Sequence, residues 1–219
     1  MKRNAPTHRE GKSLISVRLQ NGVRQSCDEE LMRYWCFSLH RLFLIPQAPP
    51  EHPSPAYDLG EYSVASFKIL SDWMEDFRLP VFANTSDAIN SYLLGWKLGA
   101  PVFCNLLMTR LCKLYEDCSN IPASMLVSEA CKRPRAGNPI FKFVVHVYIR
   151  AEVRCKEAST EVFETIWALY PKVFQDLVKS DSPARDHIKG PGSLVANACD
   201  YHVHVGISPG DSLAVNCLA

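Results

Sequence analysis

Residues 88–115, AINSYLLGWKLGAPVFCNLLMTRLCKLY, read as two helices folded against each other, and the rest of the chain is arranged around them. Ile89, Tyr92, Leu93 and Trp96 recur three, four and seven residues apart, which puts them on one face of a helix. Ser86 or Asp87 supplies the cap at its start. Gly99 stands where a left-handed residue ends a helix at little cost, and Pro101 where a missing amide hydrogen does no harm at the start of the next. The second helix repeats the pattern with Phe103, Leu106, Leu107, Leu111 and Leu114. Each large apolar side chain buried contributes about 1.5–3 kcal/mol. Two helices of this length hold together only when further layers cover them.

The flanking segments supply those layers. Upstream, Ser63 caps a helix whose apolar face is Phe67, Leu70, Trp73, Met74 and Phe77, and Arg78-Leu79-Pro80 ends it. Ala56 to Leu59 reads as a short strand before that helix, and Val81-Phe82 as another after it. Gln47 to Pro55 carries prolines at 49, 50, 53 and 55, so it is a surface loop rather than helix or central strand. Nearer the start, Ile15 to Leu19 and Val23 to Ser26 alternate in polarity around Asn21-Gly22, the strongest short hairpin signal. A helix follows from Asp28 to Tyr34, its acids suited to the positive end of the helix dipole.

Downstream of Tyr115, the step Arg133-Pro134 stops a short helix that begins near Ile121. Pro139 to Cys155 buries one side through Ile140, Phe143, Val144, Val147 and Ile149. Its β-branched content also permits a strand, but the apolar residues fit the helical period, and helix is the reading taken. His146 in this run is a core or rim histidine. Ser159 to Leu177 forms a last amphipathic helix through Phe163, Ile166, Trp167 and Leu169, kinked near Pro171. From Asp181 onward, Gly190-Pro191-Gly192 and Pro209-Gly210 punctuate a tail without helical period.

In this order the segments resemble the BTB/POZ family, and more closely its short members abundant in fungi. There a strand ending in an acidic turn leads to a helix of the form FxxxxxWxY, matched by Phe67 and Trp73 with Phe77 a few positions on. A polar linker then leads to an LxxLxxKxGxP corner, matched by Tyr92, Leu93, Lys97, Gly99 and Pro101. The stretch RPRAGNPIFKFVV, residues 133–145, is similar to the turn that opens the fungal extension. The match is poorest near the start, where family members carry F-x-V-H-K-x-L-L. Leu31 and Met32 fit the Leu pair, but Asp28 and Glu29 replace His-Lys, and Cys36, Ser38 and Leu39 replace a Ser and two Phe. In dimeric members this region contributes to a polar pocket at the two-fold interface. The charge reversal therefore bears directly on self-association.

Bulk composition narrows the alternatives. The chain has 219 residues, 47% of them hydrophobic, and Lys plus Arg is 24 against Asp plus Glu at 23, a net charge of +1. Partners such as nucleic acid or an anionic membrane select for clustered positive charge. Lys132, Arg133 and Arg135 lie in a Pro- and Gly-bearing turn that reads as a solvated loop. A nucleic-acid-binding role would fall to the basic first residues and the helical corner, with affinity dropping steeply in salt. No apolar run of signal-peptide or membrane-spanning length is seen, so the chain is expected in the cytoplasm or nucleus.

The nine cysteines, Cys27, Cys36, Cys104, Cys112, Cys118, Cys131, Cys155, Cys199 and Cys217, contain no C-x-x-C pair. They read as reduced thiols. Cys199, His202 and His204 are the one group with any metal-ligating character, the two histidines falling on one side of an extended segment, but a closed site needs further fixed ligands. No catalytic signature of the G-x-S-x-G, G-x-G-x-x-G, P-loop or H-E-x-x-H type occurs. A cysteine-dependent enzyme remains an alternative, and it requires one thiol far more reactive than the rest.

The expected fold is α+β and mostly helical, a BTB/POZ-like helical cluster with a small edge sheet and a C-terminal helical extension. Residues 1–12 form a basic tail, 13–118 the main domain, 119–180 the extension and 181–219 a flexible tail. The resemblance implies a protein–protein interaction module and adaptor, not an enzyme, without cofactor. Its partner is another protein or a second copy as a homodimer. Some members of the family recruit cullin-type ubiquitin ligases, although no residue here carries that role. Ile15, Val17 and Leu19 are the candidate edge strand for a partner chain.

Overall fold

The computed structural model describes residues 13–38, 57–80, 82, 85–116, 139–144, 146–147, 164, 168 and 201–203. Within them the chain is mostly helical with a small three-stranded sheet. The expectations for Gln47–Pro55, the turn around Lys132–Arg135, Cys199, His204, most of the last helix and the domain boundaries at 118 and 180 lie outside the described residues.

Strands β1 (Leu14–Arg18) and β2 (Arg24–Asp28) pair antiparallel, Leu14 opposite Asp28 and Arg18 opposite Arg24. Asn21 and Gly22 both sit in the left-handed region, φ 60° and 74°, which the Asn-Gly pair tolerates. Asp28 ends β2 and caps α1 (Glu29–Trp35), its carboxylate accepting the Leu31 N–H at 3.2 Å. Strand β3 (Tyr57–Asp58) then pairs parallel with Val17–Arg18 of β1. The sheet order is β2-β1-β3.

That order corrects the candidate edge. Ile15 and Val17 lie in β1, the middle strand, Leu19 directly follows it, and all three are buried. The reason is topological: the segment after α1 returns to lie beside β1, and a hairpin sequence alone does not say on which side a later strand will land. Arg18 and Asp58 fix this crossover, Nε donating to Oδ1 at 3.2 Å with a second bond from the guanidinium. The same Asp58 oxygen accepts the Gly60 N–H at 3.0 Å, which closes an acidic turn.

Helix α2 (Val64–Asp76) starts at Ser63, whose hydroxyl accepts the Ser66 N–H at 3.1 Å. Phe67, Leu70, Trp73 and Met74 are buried as expected. Phe77 is not part of that face. It is the C-cap, left-handed at φ 56°, and 46% exposed. A bulky residue in that region costs about 1–2 kcal/mol, which its ring offsets by packing against Trp35 at 5.0 Å and Trp73 at 6.0 Å. Phe82 is not in a strand.

The two helices of the opening stretch are α3 (Thr85–Leu98) and α4 (Pro101–Leu114). Helix α3 begins before the expected caps, so Ser86 is its second residue and accepts the Asn90 side-chain amide at 3.3 Å instead. The corner closes as a Schellman motif. Ala100 N–H bonds Gly95 O at 2.8 Å and Gly99 N–H bonds Trp96 O at 3.2 Å, with Gly99 at φ 70°. Along α4 the buried residues are Phe103, Cys104, Leu107, Met108, Leu111 and Cys112, while Leu114 is exposed. The chain divides into two compact units at residues 104/105, inside this helix.

Residues 139–144 and 146–147 are helical, in keeping with the helical rather than the strand reading of that run. Ile140, Phe143, Val144 and Val147 are buried there.

Candidate interaction surface

The first unit contains an aromatic cluster. Trp73 is fully buried at its centre, with Trp35 at 5.0 Å and Phe103 at 5.1 Å between ring centroids. Phe103 approaches so closely because Gly95 has no side chain. A Cβ there would lie 2.6 Å from Phe103 Cδ1 and 3.1 Å from Cys104 Sγ. The corner is held from the other side by Phe37, whose N–H bonds Gly99 O at 3.0 Å. With its main chain engaged at the corner, the Phe37 side chain remains 49% exposed.

Exposed large apolar residues therefore follow both α1 and α2, as Phe37 and Phe77. Further ones belong to the hairpin, where Leu14 is 61% exposed and Val23, directly before β2, is exposed as well. Strand β2 is an edge among the described residues. Its residues Arg24, Gln25 and Ser26 are polar, a composition that keeps an open edge from pairing indiscriminately.

Asp28 and Glu29 are occupied locally. Asp28 caps α1. Glu29 accepts from the Ser13 hydroxyl and from Arg33, Nε at 2.9 Å, and these bonds hold its carboxyl below the usual range. The Ser13 hydroxyl is the larger influence and the Arg33 guanidinium the next. Two acids consumed by a cap and an i, i+4 pair stabilise the start of α1 rather than forming an open polar pocket.

The four cysteines described, Cys27, Cys36, Cys104 and Cys112, are buried and unpaired with one another. Burial pushes the thiols of Cys27 and Cys112 up to about 12, and those of Cys36 and Cys104 higher still. Cys104 donates weakly to Tyr92 O at 3.7 Å. A nucleophilic cysteine needs the opposite environment, an exposed thiolate beside positive charge.

In the second unit, His202 is the one metal candidate described, and its Nε2 lies 3.0 Å from Thr109 Oγ1. Among the described residues no group of three or more His, Cys, Asp or Glu side chains could hold a metal ion. Of the segment 181–219, residues 201–203 are described, and they are held in place. Tyr201 and His202 are buried, and Val203 is bonded to Asn105 through both its main-chain groups. His146 is a core histidine, Nδ1 lying 2.8 Å from Tyr201 Oη. These contacts join residues 55 to 98 positions apart, so no local pattern announces them.

No helix among the described residues is long and apolar enough to cross a membrane. Comparison with known protein families, with curated proteins and with solved structures finds no match for this chain.

Proposed function

We propose that the chain is a protein–protein interaction module of BTB/POZ-like type, acting as an adaptor that binds a second copy of itself or another protein. The observation that carries this reading is the succession of elements. A hairpin and capped helix are followed by a strand ending in the acidic turn at Asp58, then by a helix bearing Phe67 and Trp73, then by the corner at Lys97, Gly99 and Pro101. The last three of these are the segments on which the resemblance rests. The exposed Leu14, Val23, Phe37 and Phe77 and the β2 edge give such a module surface to offer.

Self-association by the family's polar pocket is disfavoured by the local use of Asp28 and Glu29. A contact through the exposed apolar residues does not depend on that pocket. The test is light scattering of the full chain on a gel-filtration column, at several concentrations in reducing buffer. A concentration-independent dimer is the homotypic outcome. A monomer at every concentration removes self-association and leaves a heterotypic adaptor, and Phe77→Ser with Leu14→Ser would then have no effect on mass but would abolish capture by a heterotypic partner. Recruitment of a cullin-type ligase is a further step that this reading leaves open to the same partner test.

A further inference from the structure

Strand β2 presents a self-complementary edge. Ser13 O accepts the Glu29 N–H at 2.9 Å, and Val23 O accepts the Leu19 N–H at 2.7 Å. Between these bonds Ile15 lies opposite Cys27 and Val17 opposite Gln25. The alternation of an antiparallel ladder therefore turns the main-chain groups of Gln25 and Cys27 toward β1 and those of Arg24, Ser26 and Asp28 away from it. In β1 the same alternation sends Arg18 O to the far side, where it accepts the Leu59 N–H at 2.7 Å. Among the described residues no strand lies beyond β2, and the side chains of Arg24 and Ser26 are exposed. Arg24 stands directly across from Arg18, a like-charge pair that costs stability. Arg18 is matched by Asp58 on its other side, whereas Arg24 has no acidic partner among the described residues.

Resting on the interaction-module reading above, we infer that β2 pairs antiparallel with β2 of a second copy of the chain, about a two-fold axis at Ser26. In the run Arg24-Gln25-Ser26-Cys27-Asp28, that axis sets Ser26 opposite itself and each Arg24 opposite Asp28 of the other copy. An isologous contact needs this kind of reciprocity. The register also suits the main chain, because every residue whose groups face outward comes opposite another such residue. The two Ser26 residues exchange N–H···O bonds, and each Asp28 N–H donates to Arg24 O across the axis. Asp28 O takes no part, since the carbonyl of a helix cap accepts the first bond of its own helix. The Asp28 carboxylate serves both the α1 cap and the Arg24 guanidinium, its oxygens offering about four acceptor sites. A slip of one residue would set outward groups against inward ones, and a slip of two would part Arg24 from Asp28. The result is a continuous sheet in the order β3-β1-β2-β2-β1-β3. Within it the unmatched Arg24 gains an acid, and the exposed Val23 comes opposite Glu29 at the start of α1 in the other copy.

Two measurements on the full chain test the register. Ser26→Cys sets two thiols opposite each other across the axis with Cα atoms about 5.5 Å apart, which is within disulfide reach. Ser16→Cys is the control, because Ser16 lies opposite Ser26 in β1 and three strand spacings, about 14 Å, separate its two copies. With copper phenanthroline as oxidant, Ser26→Cys forms roughly tenfold more covalent dimer than Ser16→Cys or the unaltered chain. In light scattering under reducing conditions the unaltered chain is a dimer. Arg24→Glu sets two acids together at both ends of the strand pair and raises the dissociation constant about tenfold or more, while Arg24→Lys leaves it within about twofold. A dimer that Ser26→Cys does not crosslink, or that Arg24→Glu leaves intact, overturns the inference and leaves the interaction-module reading standing. A monomer at every concentration also overturns it, and only the heterotypic form of that reading then remains. Should circular dichroism show that Ser26→Cys has not folded, the contrast between Arg24→Glu and Arg24→Lys decides alone.

Discussion

Trp73 and Tyr201 are both buried aromatic residues, and their neighbours are recruited from the chain in different ways. Around Trp73 the contacts are apolar: Trp35 comes from α1, Phe77 from the end of α2 and Phe103 from α4. Around Tyr201 the contacts are mixed, with an aromatic edge from Phe143, a hydroxyl bond to His146 and a carboxamide gripping the residue two positions on. Burial without direction tolerates many arrangements and is worth energy in proportion to area. Hydrogen bonds at fixed distances select one arrangement and contribute about 0.5–1.5 kcal/mol each. The first region therefore holds the fold, and the second specifies which segment lies where.

The comparison breaks first at Trp73. Trp73→Ala empties the centre of the aromatic cluster and removes the packing that holds Phe77 in its left-handed conformation. The expected loss is about 3–5 kcal/mol in chemical denaturation. A loss below 1 kcal/mol would mean that the cluster is peripheral to stability. Gly95→Ala comes next. The added methyl would lie 2.6 Å from Phe103 Cδ1, so the ring must shift, at a cost of about 1–3 kcal/mol. If the ring instead rotates freely aside, Gly95→Ala is neutral or stabilising through its better helix propensity, and the close approach of the two helices is not needed.

What the sequence disclosed follows the same division. The hairpin at Asn21-Gly22, the caps at Asp28 and Ser63, and the corner at Gly99-Pro101 are local signals, each written within a few residues of the structure it produces. Three features were not legible. Strand β1 lies inside the sheet because β3 returns to its open side, and Arg18, whose pairing with Asp58 marks that return, reads in the sequence as an ordinary exposed basic residue. Phe77 occupies a conformation that its side chain disfavours, because contacts with Trp35 and Trp73 override local preference. The grip of Asn105 on Val203 joins positions 98 apart, and an isolated Asn on a helix is indistinguishable from a solvated one. In the candidate interaction surface, the apolar character of Leu14 and Phe37 was visible, but their exposure was not.

Smaller effects sharpen the role of the caps. Ser63→Ala leaves the Ser66 N–H without its acceptor, and Asp28→Ala does the same for Leu31. Each is expected to cost about 1 kcal/mol, readable as a lowered denaturation midpoint with an unchanged slope. Substitution by Asn or Thr should restore most of it. Failure of Asp28→Asn to restore stability would show that the charge at this position, and not its capping oxygen, is what matters.

The smallest effect concerns Glu29, and it decides whether the acid at that position is structural. Its carboxyl is held below the ordinary value of 4.5 by the Ser13 hydroxyl and then by Arg33. A carboxyl depressed in the folded state binds its proton less readily there than in the unfolded chain. Its stabilisation is therefore complete above about pH 4.5 and is lost as pH falls through the lower folded value. For a partly exposed i, i+4 pair the contribution is about 0.3–0.5 kcal/mol, so the signature is a slightly shallower acid limb in Glu29→Gln, with no change at neutral pH beyond that amount. High salt should shrink the difference between the two chains, since the Arg33 contact is exposed to screening. If Glu29→Gln leaves the acid limb as it was while altering mass in light scattering, the carboxylate serves an interface and not the start of α1.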